Sequence, residues 1–283
     1  MTTVMAPSGG SGRISRMPSP RLPAAAWKPV ALPAEHGGWG FLAEPVVLGL
    51  ILAPSSAGAC LALAALAAFL ARHPLRLWLL DRRKGVRYPR TALSERFFLG
   101  YAGLAALLLA GAFALAAEPF WPALALAAPI GLVALGFDAR GRSREALPEL
   151  SGAIALGASA AGIALAGGAP SGVAWGAWAL LALRAVTSVL YVRARIRLDR
   201  GLHAGPGAVL AGHAAALAAA AALARSAWAP WLATGAFLVL LARAAWGLSP
   251  RRRRVRPQVL GFQELGFGLL TLTLLAVGYR VGP

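Results

Sequence analysis

Runs of Ala, Leu, Gly and Val with very few charged residues recur from residue 39 to residue 279, and they restrict the fold more than any other feature. Each run is close to the roughly 20 apolar residues that a helix needs to cross a bilayer. Charged residues make up only 13% of the chain, whereas a soluble domain carries about 25%. We therefore predict an all-α fold, a polytopic bundle of transmembrane helices.

The runs divide the chain into a polar N-terminal tail and nine candidate membrane spans. Residues 1–30 are rich in Pro, Ser, Gly and Arg, so we expect a disordered basic cytoplasmic tail there. Residues 31–283 then form a single transmembrane helical domain. The predicted spans cover residues 39–56, 58–80, 97–116, 119–137, 149–168, 172–192, 206–224, 229–247 and 258–279.

The basic residues predict the orientation of these spans. Of the 28 Lys and Arg residues, 24 lie in the tail or in residues 72–96, 140–144, 193–200 and 251–256. Nine spans place all of these segments on one side, and the positive-inside rule makes that side the cytoplasm. The N-terminus is then inside and the C-terminus outside. The net charge of +18 predicts contact with anionic lipid head groups and gives no reason to expect a nucleic-acid partner.

Glycines at regular spacing in the fifth and sixth spans predict close helix packing. Small residues let helix backbones approach each other in lipid, where large apolar side chains gain little from meeting. The glycines concerned are Gly152, Gly157, Gly162, Gly167, Gly172 and Gly176.

Polar residues of the sixth span share one helical face, because they recur at i, i+4, i+7 and i+11: Arg184, Ser188, Tyr191 and Arg195. Ionisable residues within a span usually face the bundle interior and have partners. Arg184 can bind a carboxylate or phosphate through two hydrogen bonds. The alternative is a buried ion pair with Glu44 or Glu264. A second arginine, Arg243, also lies inside a predicted span.

Other unusual polar residues fall in the same half of their spans or at the adjoining ends. We therefore predict one polar cavity, open to the cytoplasm and lined by six spans, with Arg184 as the anchor for an anion. The candidate ligand-binding residues are Glu35, His36, Trp39, His73, Arg76, Asp81, Asp138, Glu149, Arg184, Ser188, Tyr191, Arg195, His213 and Glu264. No catalytic residue is predicted.

Four stretches of the chain together resemble the YwiC-like family of bacterial membrane proteins. The resemblance runs from about residue 32 to residue 280 and implies a multi-pass protein of the bacterial cytoplasmic membrane. It does not imply a particular activity. The stretches are "PAEHGGWGFL", "FLARHPLRLWLLDRR", "LPELSGAIALG" and "VLGFQELGFGLLTLTLLAVGYR".

A weaker resemblance is to the UbiA-type prenyltransferases, which also have nine spans and carry acidic motifs at the cytoplasmic ends of the second and sixth. The corresponding stretches here are "HPLRLWLLDRRKG" and "RAVTSVLYVRARIRLDRG". Each has one aspartate, Asp81 or Asp199, where those enzymes use several to hold Mg²⁺ and a diphosphate. One carboxylate cannot build a Mg²⁺ cage, whereas arginines can bind a phosphate directly.

Other cofactors have little support in the sequence. The single cysteine, Cys60, provides no metal motif, and we predict no metal site. Isolated histidines such as His36, His73 and His213 are weak evidence for haem ligation, which we keep as a minor variant.

Three functions remain open. The first is a UbiA-like bundle that binds or modifies a phosphorylated or carboxylated amphiphile. The second is a non-catalytic membrane scaffold or assembly factor that docks through its basic loops. The third is a transporter for a small anion, although the outer halves of the spans contain no polar path.

The nine-span prediction can be tested with topology reporters. Fusions after residues 57, 118, 170 and 227 should report the outside, and fusions after residues 85, 142, 200 and 254 the inside. Two successive fusions that report the same side would remove a span and the orientation argument with it.

Overall fold

A computed structural model describes residues 27–33 and 36–282, together with all of their side chains except those of residues 36 and 37. Glu35 and the side chain of His36, both predicted to belong to the site, therefore lie outside the described residues.

The described residues form helices joined by short turns, with no β-strand among them. This confirms the predicted all-α bundle. The helices are α1 (Lys28–Ala31), α2 (His36–Leu52), α3 (Ser56–Arg83), α4 (Pro89–Leu115), α5 (Trp121–Ala139), α6 (Ala146–Ala166), α7 (Ser171–Asp199), α8 (Pro206–Arg225), α9 (Trp231–Leu248) and α10 (Pro257–Val281).

The helices from α3 to α10 supply eight segments, within the described residues, that are long and apolar enough to cross a membrane. The first predicted span, 39–56, corresponds to the shorter apolar helix Gly38–Leu52. It ends early because Ser55 caps α3, its Oγ accepting a hydrogen bond from the amide of Gly58 at 2.9 Å. The ninth span and the orientation in the membrane remain predictions.

Helix α2 lies in the middle of the bundle and packs against α3, α6, α7 and α10. Its residue Leu48 is fully buried in a core with Leu180 of α7, Phe237 of α9 and Leu275 of α10. The pairs α3–α4, α5–α6 and α8–α9 form antiparallel hairpins around it.

Hydrogen bonds between turns show that four basic segments lie at the same end of the bundle, which we call the basic end. Arg83 donates to the carbonyl of Ala139 at 2.9 Å, and Arg193 donates to the carbonyl of Arg144 at 3.2 Å. Arg252 donates to the carbonyl of Leu198 at 3.0 Å. The turns after α3, α5, α7 and α9 therefore meet, as the charge pattern requires.

The structure differs from the prediction for the last residues of the tail. Residues 28–30, expected to be disordered, form α1 with Ala31, and this short helix packs on α3 and α4. Val30 and Ala31 are buried, and Nε2 of His73 lies 3.0 Å from the carbonyl oxygen of Pro29. Burial of Val30 and Ala31 explains why these residues form a helix. The composition of the tail could not reveal these contacts.

Four of the six predicted packing glycines sit where a side chain would not fit or would fit tightly. A Cβ at Gly167 would collide with the backbone of Ala53, and one at Gly176 with the carbonyl of Trp228. A Cβ at Gly157 or Gly172 would lie only 3.3 or 3.1 Å from a tryptophan ring. The remaining two, Gly152 and Gly162, have room for a methyl group.

We expect Gly176→Ala to destabilise the protein by about 1–3 kcal/mol, because the backbone of the α8–α9 turn must move to admit the methyl group. Gly235→Ala in α9 is the matched control, since a Cβ there meets no atom within 4 Å. Thermal unfolding in detergent should separate the two variants, and equal melting temperatures would contradict the close-packing argument.

Candidate ligand-binding site

An ion pair between Glu44 and Arg184 lies near the midpoints of α2 and α7. Arg184 Nη2 is 3.0 Å from Glu44 Oε1 and also donates to the carbonyl of Glu264 at 3.1 Å. Arg184 is 4% exposed and Glu44 is 8% exposed. Gly268 of α10 admits the pair, because a Cβ at this position would collide with both side chains.

Glu264 forms the second ion pair of the cluster, one turn before Gly268 on α10. Arg243 of α9 donates to one oxygen of its carboxylate, and the hydroxyl of Ser188 donates to the other. Arg184 therefore holds the backbone of Glu264, while Arg243 and Ser188 hold its side chain.

Aromatic rings and a histidine fix the Arg243 guanidinium. Its central carbon lies 4.1 Å from the ring centre of Tyr191 and 5.1 Å from that of Phe267, a geometry that favours a cation. Its Nη2 lies 3.4 Å from Nε2 of His213. Nδ1 of the same imidazole lies 2.9 Å from the carbonyl of Val209, so we assign the proton to Nδ1 and an acceptor lone pair to Nε2.

A third group closes the cluster toward the basic end. Arg195 of α7 donates to the carbonyl of Gly247, near the end of α9, and to the carbonyl of Arg253, in the turn between α9 and α10. Asp199 accepts a hydrogen bond from Arg252 at 3.4 Å and lies 3.2 Å from Arg195 Nε. These contacts tie the turn after α9 to the end of α7.

The other predicted carboxylates are held by arginines on different helices. Asp138 accepts two hydrogen bonds from Arg72, at 2.6 and 3.2 Å. Glu149 lies 3.0 Å from Arg193. Together these pairs link α3 to α5 and α6 to α7.

Asp81 is fully buried and organises the turn between α3 and α4. It accepts hydrogen bonds from Arg90 at 2.8 and 3.3 Å and from Thr91 Oγ1 at 2.8 Å. All of these contacts come from residues just after the turn. In this arrangement Asp81 holds the α3–α4 hairpin together through Arg90 and Thr91.

The described contacts gather the candidate residues in more than one place, and the shared cavity remains a prediction. They divide the candidates between a charged cluster of α2, α7, α8, α9 and α10 and separate pairs along α3, α5 and α6. Two cavities lie elsewhere: an apolar groove of about 690 Å³ between α7 and α8, and a space of about 290 Å³ beside Asp81. The space inside the charged cluster is occupied by its own side chains, which bond to one another.

The remaining predicted residues lie outside this cluster. Trp39 packs edge-on against Phe69 of α3, with ring centres 5.1 Å apart. His73 contacts the segment that carries α1, and Arg76 lies one turn beyond Arg72 on α3.

Arg243 is the main residue that the predicted site omitted. The sequence placed it inside a span, and an arginine in a span usually has a partner. Its position inside a span was a sufficient reason to add Arg243 to the candidate residues. The sequence did not indicate that α9 brings Arg243 to Glu264.

No group of three metal-binding side chains occurs among the described residues. Of the histidines considered for haem, the two whose side chains are described have other partners: His213 faces Arg243 and His73 faces Pro29.

Comparisons with known proteins support one of the two resemblances. Residues 32–165, slightly less than half of the chain, match the family described as YwiC-like protein. This confirms the YwiC-like resemblance over α2 to α6. The search of curated proteins gave no match. The resemblance to UbiA-type prenyltransferases remains a prediction.

We expect Arg184→Gln to destabilise the protein by about 3–5 kcal/mol, because it leaves the buried carboxylate of Glu44 without its partner. The double variant Glu44→Gln/Arg184→Gln should recover much of that loss, since both charges are then absent. Melting temperatures of the wild type, the double variant and both single variants complete the cycle. A double variant as unstable as the sum of the single variants would show that the two residues do not interact.

Proposed function

We propose that this membrane protein, whose residues 32–165 are YwiC-like, binds the anionic head group of an amphiphile at the charged cluster. The head group is a phosphate or a carboxylate. The observation that carries the proposal is a pair of buried arginine Nε–H groups that have no hydrogen-bond partner among the described residues, in Arg184 and Arg243.

Two arginines of the cluster each leave one buried donor unused. Arg184 and Arg243 use their Nη atoms for Glu44, Glu264 and His213, while Nε remains unbonded. A buried donor without an acceptor costs about 1–3 kcal/mol. The several oxygens of a phosphate or carboxylate match the planar donor fork of arginine.

The position of the cluster favours an amphiphile over a soluble ion. Glu264 lies seven residues inside α10, about 10 Å along the helix axis. Its neighbours Phe262, Leu265 and Leu269 are exposed on the surface of the bundle, where lipid chains would contact them. A ligand with a charged head and an apolar chain would meet both environments.

Transport of a small anion is less well supported. Toward the opposite end of the bundle, the described ionisable groups Glu118, Arg225 and Arg280 lie in a turn or near helix ends. The hydroxyl of Thr271, one turn beyond Phe267, donates to its own helix. These features support a site that opens to one side only. The charge bias supports the cytoplasm as that side, in a bacterial cytoplasmic membrane.

Co-purification tests the proposal. We expect native mass spectrometry of the gently extracted protein to show one anionic amphiphile per chain that persists when loosely bound lipids are removed. Arg243→Gln/Glu264→Gln should lose at least about tenfold in occupancy, because it removes a donor fork. This double variant should still fold, because it leaves no unpaired charge.

Arg225→Gln is the matched control, because Arg225 is exposed at the far end of α8 and should not affect occupancy. A wild-type protein without a bound anion would contradict the proposal, and so would equal occupancy in all three proteins. Co-purification of a protein partner without any small molecule would support the scaffold function instead.

A further inference from the structure

The two inner ion pairs of the charged cluster together carry no net charge before a ligand binds. Two arginines, Arg184 and Arg243, are matched by two carboxylates, Glu44 and Glu264. His213 is neutral in this arrangement, because Nδ1 donates to a carbonyl and Nε2 faces an arginine donor. A bound monoanion would therefore leave one uncompensated negative charge in a low-dielectric environment, which is energetically costly.

We propose that the anion binds by exchange with Glu264, and that Glu264 takes up one proton as it leaves Arg243. This inference rests on the proposed function and adds its mechanism. The carboxylate of Glu264 gains a proton from the solution at the basic end, and the ligand anion takes its place on Arg243. One negative charge and one positive charge enter together, so the net charge of the two ion pairs does not change.

Glu264 is better suited to this exchange than Glu44. Glu44 lies at the midpoint of its helix, pressed against the bare backbone of Gly268. Glu264 lies at a similar depth, about two turns from the start of α10. Its partner Ser188 has a hydroxyl that can donate to a carboxylate or accept from a carboxylic acid. Protonated Glu264 therefore keeps a hydrogen bond.

Arg243 stays in position when Glu264 leaves, because other groups hold it. Tyr191 and Phe267 stack against the guanidinium at 4.1 and 5.1 Å, and His213 contacts Nη2. The ligand would meet a donor fork that is already oriented, which reduces the entropy lost on binding. The titratable and charged groups around Glu264 are Glu44 of α2, Arg184 and Tyr191 of α7, His213 of α8 and Arg243 of α9.

Proton uptake during binding tests the exchange. The probe is short-chain phosphatidylglycerol, which carries one fixed negative charge near neutral pH, and short-chain phosphatidylcholine is the zwitterionic control. Calorimetric titrations in two buffers with different ionisation enthalpies give the number of protons taken up. We expect about one proton per bound phosphatidylglycerol, and an affinity that falls by up to about tenfold per unit rise in pH.

Two variants locate the proton. In Glu264→Gln the side chain at position 264 is neutral before the ligand binds. This variant should therefore bind phosphatidylglycerol more tightly, without proton uptake and with little dependence on pH. Asp138→Asn is the control, because Asp138 is another buried carboxylate bound by an arginine, outside the cluster. It should still take up one proton.

The outcomes separate this inference from the proposed function. Binding of phosphatidylglycerol without proton uptake would overturn the exchange and leave the proposed function in place. Proton uptake that persists in Glu264→Gln would also overturn the exchange, because another group then accepts the proton. A wild-type protein that binds phosphatidylglycerol no better than phosphatidylcholine would contradict both.

Discussion

The ion pair between Glu44 and Arg184 joins α2, in the N-terminal part of this bundle, to α7 and α10 in the C-terminal part. Glu44 is on α2, within the YwiC-like stretch, whereas Arg184 and the adjacent Gly268 follow it in the chain. Apolar helix faces provide little specificity in lipid, because the lipid chains are equally apolar. A buried charge pair gives α2 one position in which both charges are satisfied, and the cluster around Arg243 builds on that position.

The two ends of the bundle are held by different interactions. Toward the basic end, arginines join carboxylates and carbonyl groups of neighbouring helices, as in the Arg72–Asp138 pair and the Arg195 contacts with the α9–α10 turn. At the opposite end, backbones meet directly where glycine leaves room, as Gly176 does for Trp228. Under the proposed mechanism the ionic end rearranges when protons and anions bind, whereas the glycine contacts depend only on shape. This asymmetry explains why a ligand site is expected at one end only.

Helical periodicity predicts which side chains of one helix share a face. Arg184 and Ser188 were expected on one face of α7 and both contact Glu264, while the predicted alternative, an ion pair with Glu44, is present. Periodicity does not tell how helices are arranged around each other. It therefore could not assign Asp138 to Arg72, or Arg243 to Glu264.

The sequence by itself determined the class of protein, the helices and the common side of the basic turns. These features depend only on the lengths of the apolar runs and on the positions of the charged residues along the chain. Only the tertiary structure decided that α2 is central, that the carboxylates divide among separate arginines, and that charged side chains fill the cluster. Those outcomes depend on which helices are neighbours, and helix neighbours are chosen by close packing and charge pairing between segments far apart in the chain.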